Sequence, residues 1–246
     1  MQLYYSGSGW SGTHDHRRFD EKYFCCLCEQ ALTGFNLYMT TASVDNLIQT
    51  LPVMEAFYTL QGEGFHQGKA AYFIRLAGCD VGCVWCDVKE SWDASAHPLK
   101  SVSEIVSAAS AHPGKIAVVT GGEPLMHDCS YLTFQLQSAG FHTHIETSGA
   151  YPLSGHWDWI CLSPKKFKSP LPEIADKAHE LKVVIYHPSD FAWAEKYAAL
   201  VNPDCKLFLQ PEWSRQDYIT PRIIEYIEAN PVWAFSLQLH KYIHVP

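Results

Sequence analysis

The chain contains no long apolar run, and basic residues are scarce in it. No stretch approaches the roughly 18 consecutive apolar residues of a membrane-spanning helix, and no signal peptide with a basic start and an apolar core is visible. The 18 Lys and Arg residues stand against 26 Asp and Glu residues, which gives a formal net charge of −8. This balance gives no support for a nucleic-acid-binding surface, which is expected to be basic.

Secretory features are equally lacking, although the chain has nine cysteines. Disulfides persist mainly in oxidising compartments, so cysteines without a secretory context are expected to stay reduced and free to bind metal. We therefore expect a cytoplasmic protein. A length of 246 residues, of which 47% are hydrophobic, suits one globular domain of the barrel or doubly wound type.

The first 50 residues do not fit the pattern of that domain. They contain Gly- and Ser-rich turn sequences and a mixed charged run without an apolar stripe. We expect residues 1–50 to be an extension outside the core, poorly ordered or the result of a mis-assigned start, and residues 51–246 to be the folded domain. Adjacent thiols suit one metal ion poorly, so a second metal cluster on Cys25, Cys26 and Cys28 is the minor alternative.

Three closely spaced cysteines, Cys79, Cys83 and Cys86, follow an apolar run at 71–77 that predicts a buried strand. Thiolates are soft ligands that bind zinc, copper(I) or iron–sulfur clusters. A structural zinc site takes four protein ligands, and no fourth ligand is evident nearby in the sequence. Three cysteines on a four-iron cluster would leave one iron open for a small molecule. A zinc knuckle and a chance group of buried thiols are the alternatives.

Short apolar strands alternate with helical segments from Tyr72 onward, which predicts a parallel sheet with right-handed crossovers. About seven strands are expected, too few for the eight units of a complete barrel. The predicted fold class is therefore α/β, an incomplete TIM-like barrel of about six to seven parallel strands with outer helices. Two helix starts are specific: a capping box of Ser101 and Glu104, and a helix over 220–229 that begins with Pro221.

Polar loops follow several of these strands, and parallel strands bring such loops to one functional edge. Q-G-E-G at 61–64 places a carboxylate between two glycines, whose backbone lets a ligand approach closely. G-G-E-P at 121–124 is expected to expose backbone groups beside a carboxylate that suits an ammonium group. S-P-K at 163–165 offers Lys165 at the same edge, and a solvated loop lysine is its alternative interpretation.

The cysteine spacing, with the aromatic Trp85 before the third cysteine, resembles the radical S-adenosylmethionine (SAM) family. The resemblance implies a 4Fe-4S cluster on Cys79, Cys83 and Cys86, with SAM at the open iron and cleaved to a 5′-deoxyadenosyl radical. It also implies an electron donor such as a flavodoxin or ferredoxin. The SAM-binding residues that the resemblance carries over are Trp85, Gly122, Glu123, Ser163, Pro164, Lys165 and Gln210.

Within that family, Q-G-E-G, a strand ending R-L-A-G-C and the cysteine loop together resemble the 7-carboxy-7-deazaguanine synthases of the queuosine (7-deazapurine) pathway. That resemblance implies a homodimeric lyase that contracts the ring of 6-carboxy-5,6,7,8-tetrahydropterin with loss of ammonia. Arg75 is expected to pair with the substrate carboxylate, and its alternative is an edge arginine that reaches solvent. The implied substrate-binding residues are Leu60, Gln61, Gly62, Glu63, Arg75, Thr120 and Pro246.

One position departs from the pattern of those synthases. Many members carry Thr or Ser after the aspartate that follows the third cysteine, and its hydroxyl binds Mg²⁺, whereas this chain has Asp87 followed by Val88. Magnesium requires oxygen ligands, and the valine side chain has none. Either Asp87, water and substrate hold the ion, or the chain works without it.

Two other functions stay open at this point. One is a different radical SAM enzyme, such as a glycyl-radical activase, which should lack Q-G-E-G and would need a surface for a protein partner. The other is a zinc-stabilised binding module without chemistry. A binding module would leave the G-G-E-P and S-P-K loops without a role.

Overall fold

The computed structural model describes residues 49–246. Residues 1–48 of the predicted extension, with Cys25, Cys26 and Cys28, lie outside the described residues, so the boundary at residue 50 stays a prediction. The first described strand begins at Thr50. Within 49–246, no helix is long and apolar enough to cross a membrane.

The described residues form one sheet of nine strands. The strands are β1 (Thr50–Leu60), β2 (Ala70–Leu76), β3 (Leu99–Ser101), β4 (Ile116–Gly121), β5 (His142–Thr147), β6 (Trp159–Leu162), β7 (Glu180–Ile185), β8 (Lys206–Pro211) and β9 (Trp233–Phe235). Their order is β3-β1-β2-β4-β5-β6-β7-β8-β9. Strand β2 and strands β4 to β9 are parallel to one another, whereas β1 and β3 pair antiparallel at one edge.

Because β3 and β9 are the two end strands, the sheet does not close on itself. The predicted incomplete barrel with about seven parallel strands is therefore confirmed. Helices connect the parallel strands, except that residues 148–158 join β5 to β6 without a helix. They are α1 (Val102–Ser110), α2 (Ser130–Ser138), α3 (Pro172–Lys177), α4 (Asp190–Ala198), α5 (Gln216–Ala229) and, after the last strand, α6 (Leu239–Ile243).

The start of α1 agrees with its prediction, and the start of α5 does not. At α1, the Ser101 hydroxyl accepts from the Glu104 N–H and the Glu104 carboxylate accepts from the Ser101 N–H, which is a capping box. Helix α5 begins before Pro221, which lies inside it. Its earlier start follows from Glu212, whose carboxylate accepts from the Ser214 N–H (3.1 Å) at the head of a 3₁₀ turn that leads into α5. The helix tolerates the loss of the one backbone hydrogen bond that the proline cannot donate.

The central strands are buried on both faces, as expected of a parallel sheet covered by helices. In β4, Ala117, Val118 and Val119 have no exposed surface. Burying a side chain of the size of valine stabilises the fold by about 1.5–3 kcal/mol. These apolar strands form a rigid frame, and the polar loops at their ends are held in fixed positions by it.

Candidate active site

The carboxyl ends of the parallel strands surround a cavity of about 260 Å³. A single buried water needs roughly 10–15 Å³, so the cavity has room for organic ligands. All but one of the seventeen residues predicted for cluster, SAM and substrate line this cavity, and the exception is Pro164, which is buried. The structure thus brings these distant residues together, and their separate roles stay predictions.

The three cysteines are free thiols on the loop after β2. Backbone bonds fix this loop, among them the Cys79 N–H donating to the Trp92 carbonyl at 3.2 Å. Burial raises the pKa of Cys79 and of Cys83, and neighbouring groups including Cys86 raise both further. All three thiols line the same cavity, and they must lose protons to bind metal.

The placement of the thiols suits a cluster better than one ion. Within the described residues, no group of three or more His, Cys, Asp or Glu side chains is placed to hold a single metal ion. A zinc site needs four ligands within about 2.0–2.3 Å of one ion, and these thiols do not form one. A four-iron cluster is wider and is held by thiolates spread around it, which fits three cysteines on one cavity wall.

The glycines of G-G-E-P allow two strand ends to touch. A Cβ on Gly121 would lie 2.0 Å from the Leu76 carbonyl oxygen, and one on Gly122 would lie 2.3 Å from the Gly78 carbonyl oxygen. The Gly122 N–H donates to the Leu76 carbonyl at 2.9 Å. The prediction that this N–H is free for a ligand is therefore wrong, because it serves to fasten the end of β4 to the cysteine loop.

Glu123, which follows those glycines, is 1% exposed and has no cationic partner among the described residues. Its carboxylate accepts from the Leu125 N–H (3.0 Å), the Thr147 hydroxyl (2.6 Å), and the Ser148 N–H and hydroxyl (2.8 and 2.5 Å). Hydrogen bonds stabilise a buried carboxylate without cancelling its charge. Since Glu123 lines the cavity, an ammonium group of a ligand would complete its charge balance.

Lys165 lies against the cysteine loop instead of in solvent. Its ammonium donates to the Ser163 hydroxyl at 2.6 Å and lies 5.3 Å from the centre of the Trp85 ring. Burial lowers the pKa of Lys165, and the nearby Cys83 opposes that shift. The interpretation as a solvated loop lysine is therefore wrong, and Lys165 offers a fixed positive charge beside the thiols.

The Q-G-E-G turn forms the floor of the cavity, and the prediction that it lies on the carboxyl-end rim is wrong. Because β1 runs antiparallel to β2, Leu60 pairs with Ala70 at the start of β2. Phe65, just past the turn, stacks on Trp159 at the start of β6 with 5.1 Å between ring centroids. The turn therefore closes the amino end of the barrel, opposite the rim.

The two glycines of this turn make room for protein side chains. A Cβ on Gly62 would lie 2.2 Å from His240 Nδ1, and one on Gly64 would lie 1.9 Å from Glu180 Oε1. Gly64 also has φ +66°, a backbone conformation that favours glycine. We predicted that these glycines admit a ligand, but the residues that approach them are His240 and Glu180.

Lys182 joins two carboxylates at the floor, and sequence reasoning missed it. Its side chain is 3% exposed, and its ammonium pairs with Glu63 and lies 3.3 Å from Glu146 Oε2. Burial raises the pKa of Glu63, but the Lys182 charge and hydrogen bonds from Lys182 and Gln238 outweigh burial and lower it to about 2. The Gln61 amide donates to Glu146 Oε1 at 3.0 Å. A lysine between the apolar residues Leu181 and Val183 of β7 was the available signal, since buried lysines are almost always paired.

Arg75 lines the cavity with part of its hydrogen-bonding capacity already used. Its Nε donates to Glu55 Oε1 at 2.6 Å, and its side chain is 20% exposed. It lies beside Thr120 on the neighbouring strand β4. Among the described residues no partner is found for its terminal nitrogens, so the guanidinium is oriented by Glu55 and still able to bind a carboxylate.

The end of the cysteine loop meets the C-terminal helix α6 at the cavity wall. Asp87, Val88 and Pro246 line the cavity. The Lys241 ammonium donates to Asp87 Oδ2 at 3.0 Å. Val88 offers no side-chain oxygen here, so the structure supplies no second protein ligand at the position where a magnesium site was in question.

Comparisons with known proteins agree on one family. Residues 73–204 match the Radical SAM superfamily. The chain is 56% identical to the 7-carboxy-7-deazaguanine synthase of Flavobacterium psychrophilum, over 80% of this chain and 94% of that relative. It is 47% identical to the 7-carboxy-7-deazaguanine synthase of Synechocystis sp., over 81% of this chain and 95% of that relative. The crystal structure of QueE from Escherichia coli matches with a TM-score of 0.69 and 32% identity, over 78% of this chain and 95% of that chain.

Proposed function

The chain belongs to the radical SAM superfamily and, within it, to the 7-carboxy-7-deazaguanine synthases, and we propose that it converts 6-carboxy-5,6,7,8-tetrahydropterin into 7-carboxy-7-deazaguanine. The reaction contracts one ring and releases one ammonia, so it is a carbon–nitrogen lyase reaction without a further co-substrate. The observation that carries the proposal is a single cavity that unites the cysteine loop, the uncompensated Glu123 and a polar floor.

The rim residues fit the two cofactors of the superfamily. Cys79, Cys83 and Cys86 would hold the 4Fe-4S cluster, and Glu123 would bind the amino group of SAM, with Lys165 beside its carboxylate or ribose. When bound, cluster and SAM supply a carbon radical that removes a hydrogen atom from the substrate. Ser163, Pro164, Trp85, Gly122 and Gln210 complete the proposed SAM site, Pro164 by shaping the loop from behind.

The floor residues fit the substrate. Arg75, held by Glu55, would bind the substrate carboxylate, with the Thr120 hydroxyl beside it. Glu63 and Glu146 present carboxylate oxygens for the guanidine-like edge of the pterin, and the Lys182 ammonium is paired with both. Leu60, Gln61, Gly62 and the terminal Pro246 would enclose the ring. By filling the amino end of the barrel, the Q-G-E-G turn keeps water from entering opposite the rim, which protects a reactive intermediate.

The remaining features of the proposal rest on the family resemblance alone. They are a homodimer and a protein donor of single electrons, such as a flavodoxin or ferredoxin. Magnesium is left out of the proposal because the residues do not fit it: Asp87 is paired with Lys241, and Val88 has no oxygen.

The test is turnover by the full-length chain after anaerobic cluster reconstitution, with SAM, a reductant and the tetrahydropterin, and with mass spectrometry of the product. We expect 7-carboxy-7-deazaguanine in amounts that exceed the SAM consumed. Reductive cleavage of SAM without change of the pterin would contradict the proposal. It would point to a different radical SAM enzyme, such as a glycyl-radical activase, whose substrate is a protein.

A further inference from the structure

An ion pair that the proposed reaction does not use joins the end of the cysteine loop to helix α6. Asp87 lies directly after Cys86 and lines the cavity, as does Val88. The Asp87 side chain is 57% exposed, and its Oδ2 accepts from the Lys241 ammonium at 3.0 Å. Exposed ion pairs of this kind add little to folding stability, so stability does not explain why a lysine is held against the cavity-lining Asp87.

Lys241 is held in place by more than the aspartate. Its ammonium also donates to Gln238 Oε1 at 3.0 Å and lies 4.8 Å from the centre of the Trp213 ring. Its side chain is 22% exposed. Trp213 and Gln238 both line the cavity, so the lysine is fixed among cavity-wall residues by a carboxylate, an amide oxygen and an aromatic face. These are the contacts that a built cation position would have.

A divalent ion has no adequate protein site at the same place. Magnesium prefers six oxygen ligands in near-octahedral geometry, and Val88 contributes none. Within 49–246, no group of three or more His, Cys, Asp or Glu side chains is placed around one ion. An ion on Asp87 would also meet the positive charge of Lys241 at close range, and that repulsion opposes its binding.

We propose that the Lys241 ammonium is the resident cation at Asp87, and that this chain therefore works without the divalent ion that related synthases bind beside the cysteine loop. Lys241 is a positioning residue in this proposal. It holds the Asp87 carboxylate and keeps one positive charge beside it, where Thr- or Ser-containing relatives recruit an ion from solution. The proposal rests on the proposed function and adds to it which group supplies the charge.

The first test uses the unaltered, cluster-loaded full chain. After chelation of all free divalent metal, we expect turnover to change less than twofold when Mg²⁺ is added. Mn²⁺, used as a paramagnetic probe, should show no bound signal by electron paramagnetic resonance at submillimolar concentration with SAM present. Loss of turnover that Mg²⁺ restores, or a stoichiometric Mn²⁺ signal, would overturn the proposal. Absence of product with or without metal would instead count against the proposed function, which separates the two failures.

The second test moves the charge. In Lys241→Met, we expect turnover without metal to fall at least tenfold, and Lys241→Arg to restore most of it because the positive charge returns. In the double variant Val88→Thr with Lys241→Met, an added hydroxyl and a freed Asp87 should create a site, so that Mn²⁺ binds and Mg²⁺ raises turnover at least fivefold. A Lys241→Met enzyme as active as the unaltered chain, with no metal, would contradict the proposal.

Lys168 provides a matched control. It also pairs with an aspartate of the cysteine loop, Asp80, at 2.8 Å, with side-chain exposures of 35% and 50%. Asp80 does not line the cavity. Lys168→Met should therefore leave the response to Mg²⁺ and Mn²⁺ unchanged. The same metal response in Lys168→Met as in Lys241→Met would mean that loss of any loop ion pair causes it, and the proposal would be wrong.

Discussion

The rim and the floor of the cavity stabilise their carboxylates in different ways. At the rim, the Glu123 carboxylate accepts hydrogen bonds from hydroxyl and amide donors and has no cationic partner among the described residues. At the floor, Glu63 and Glu146 share the single ammonium of Lys182, so one of their two negative charges is balanced by the protein. The rim is therefore suited to a cationic ligand group, whereas the floor is suited to neutral hydrogen-bond donors such as those of a pterin.

The largest effect is expected from removing the floor cation. Lys182→Met leaves Glu63 and Glu146 without their partner, and breaking a buried ion pair costs about 3–5 kcal/mol. Both carboxylates keep some contact with solvent, so we expect a loss at the lower end of that range. The free energy of unfolding from urea titrations should fall by about 3 kcal/mol. Lys168→Met, which breaks an exposed pair, should cost less than about 1 kcal/mol. Equal losses in the two variants would contradict a special floor network.

The rim should respond in ligand affinity. Glu123→Gln preserves size but removes the charge that an ammonium group would contact, and such charge-assisted bonds contribute about 2–3 kcal/mol. We expect SAM to bind about 100-fold more weakly to the cluster-loaded variant in isothermal titration. Glu63→Gln at the floor should change SAM affinity by less than about threefold. A larger loss of SAM affinity in Glu63→Gln than in Glu123→Gln would mean that rim and floor have been assigned to the wrong ligands.

The floor network should also appear in the pH dependence of stability. The pKa of Glu63 is lowered from 4.5 to about 2 in the fold, because the Lys182 charge and hydrogen bonds outweigh burial. A folded-state pKa below the unfolded-state value stabilises the fold above about pH 5, and this stabilisation is lost as the pH falls from 4.5 through about 2. Between pH 5 and pH 3, the free energy of unfolding should fall by about 2 kcal/mol less in Glu63→Gln than in the unaltered chain. An equal fall in the two proteins would show that Lys182 does not stabilise the Glu63 carboxylate as described.

The smallest expected difference is between two glycine variants of the turn that closes the floor. Gly64 and Gly68 both have positive φ, +66° and +83°, but only Gly64 would place a Cβ against another residue, 1.9 Å from Glu180 Oε1. Replacing either by alanine costs roughly 1–2 kcal/mol for the backbone conformation. Gly64→Ala should cost about 1–2 kcal/mol more than Gly68→Ala because of the contact. Glu180→Ala in the same chain should remove that difference in thermal unfolding, and an unchanged difference would exclude Glu180 as its cause.

The rim was predictable because its chemistry lies in short segments. Cys79, Cys83 and Cys86 share one loop, and Glu123 directly follows its glycines. Parallel strands then bring such loops to one edge without further information. The floor was missed because its partners are far apart in the chain: Glu63 and Lys182 are separated by 119 residues. No local pattern shows which carboxylate a buried lysine will meet.

Two errors could have been avoided from the sequence. A parallel crossover needs about a dozen residues or more, and only residues 61–69 join β1 to β2. That length predicts an antiparallel pair and places Q-G-E-G at the amino end of the barrel. The glycines of G-G-E-P were expected to expose their backbone N–H groups to a ligand, although close packing of backbone is an equally common reason for glycine. By contrast, the short strand β3 and helix α6 are stabilised by distant contacts that no periodicity reveals.

The most direct measurement is iron and sulfide analysis of the anaerobically purified chain, with an absorption spectrum before and after dithionite. We predict four iron and four sulfide per chain bound by Cys79, Cys83 and Cys86, a brown colour that dithionite bleaches, and loss of the iron in Cys83→Ala. About eight iron would add a second cluster outside residues 49–246. A colourless protein that holds one zinc after attempted cluster reconstitution would contradict the radical SAM site.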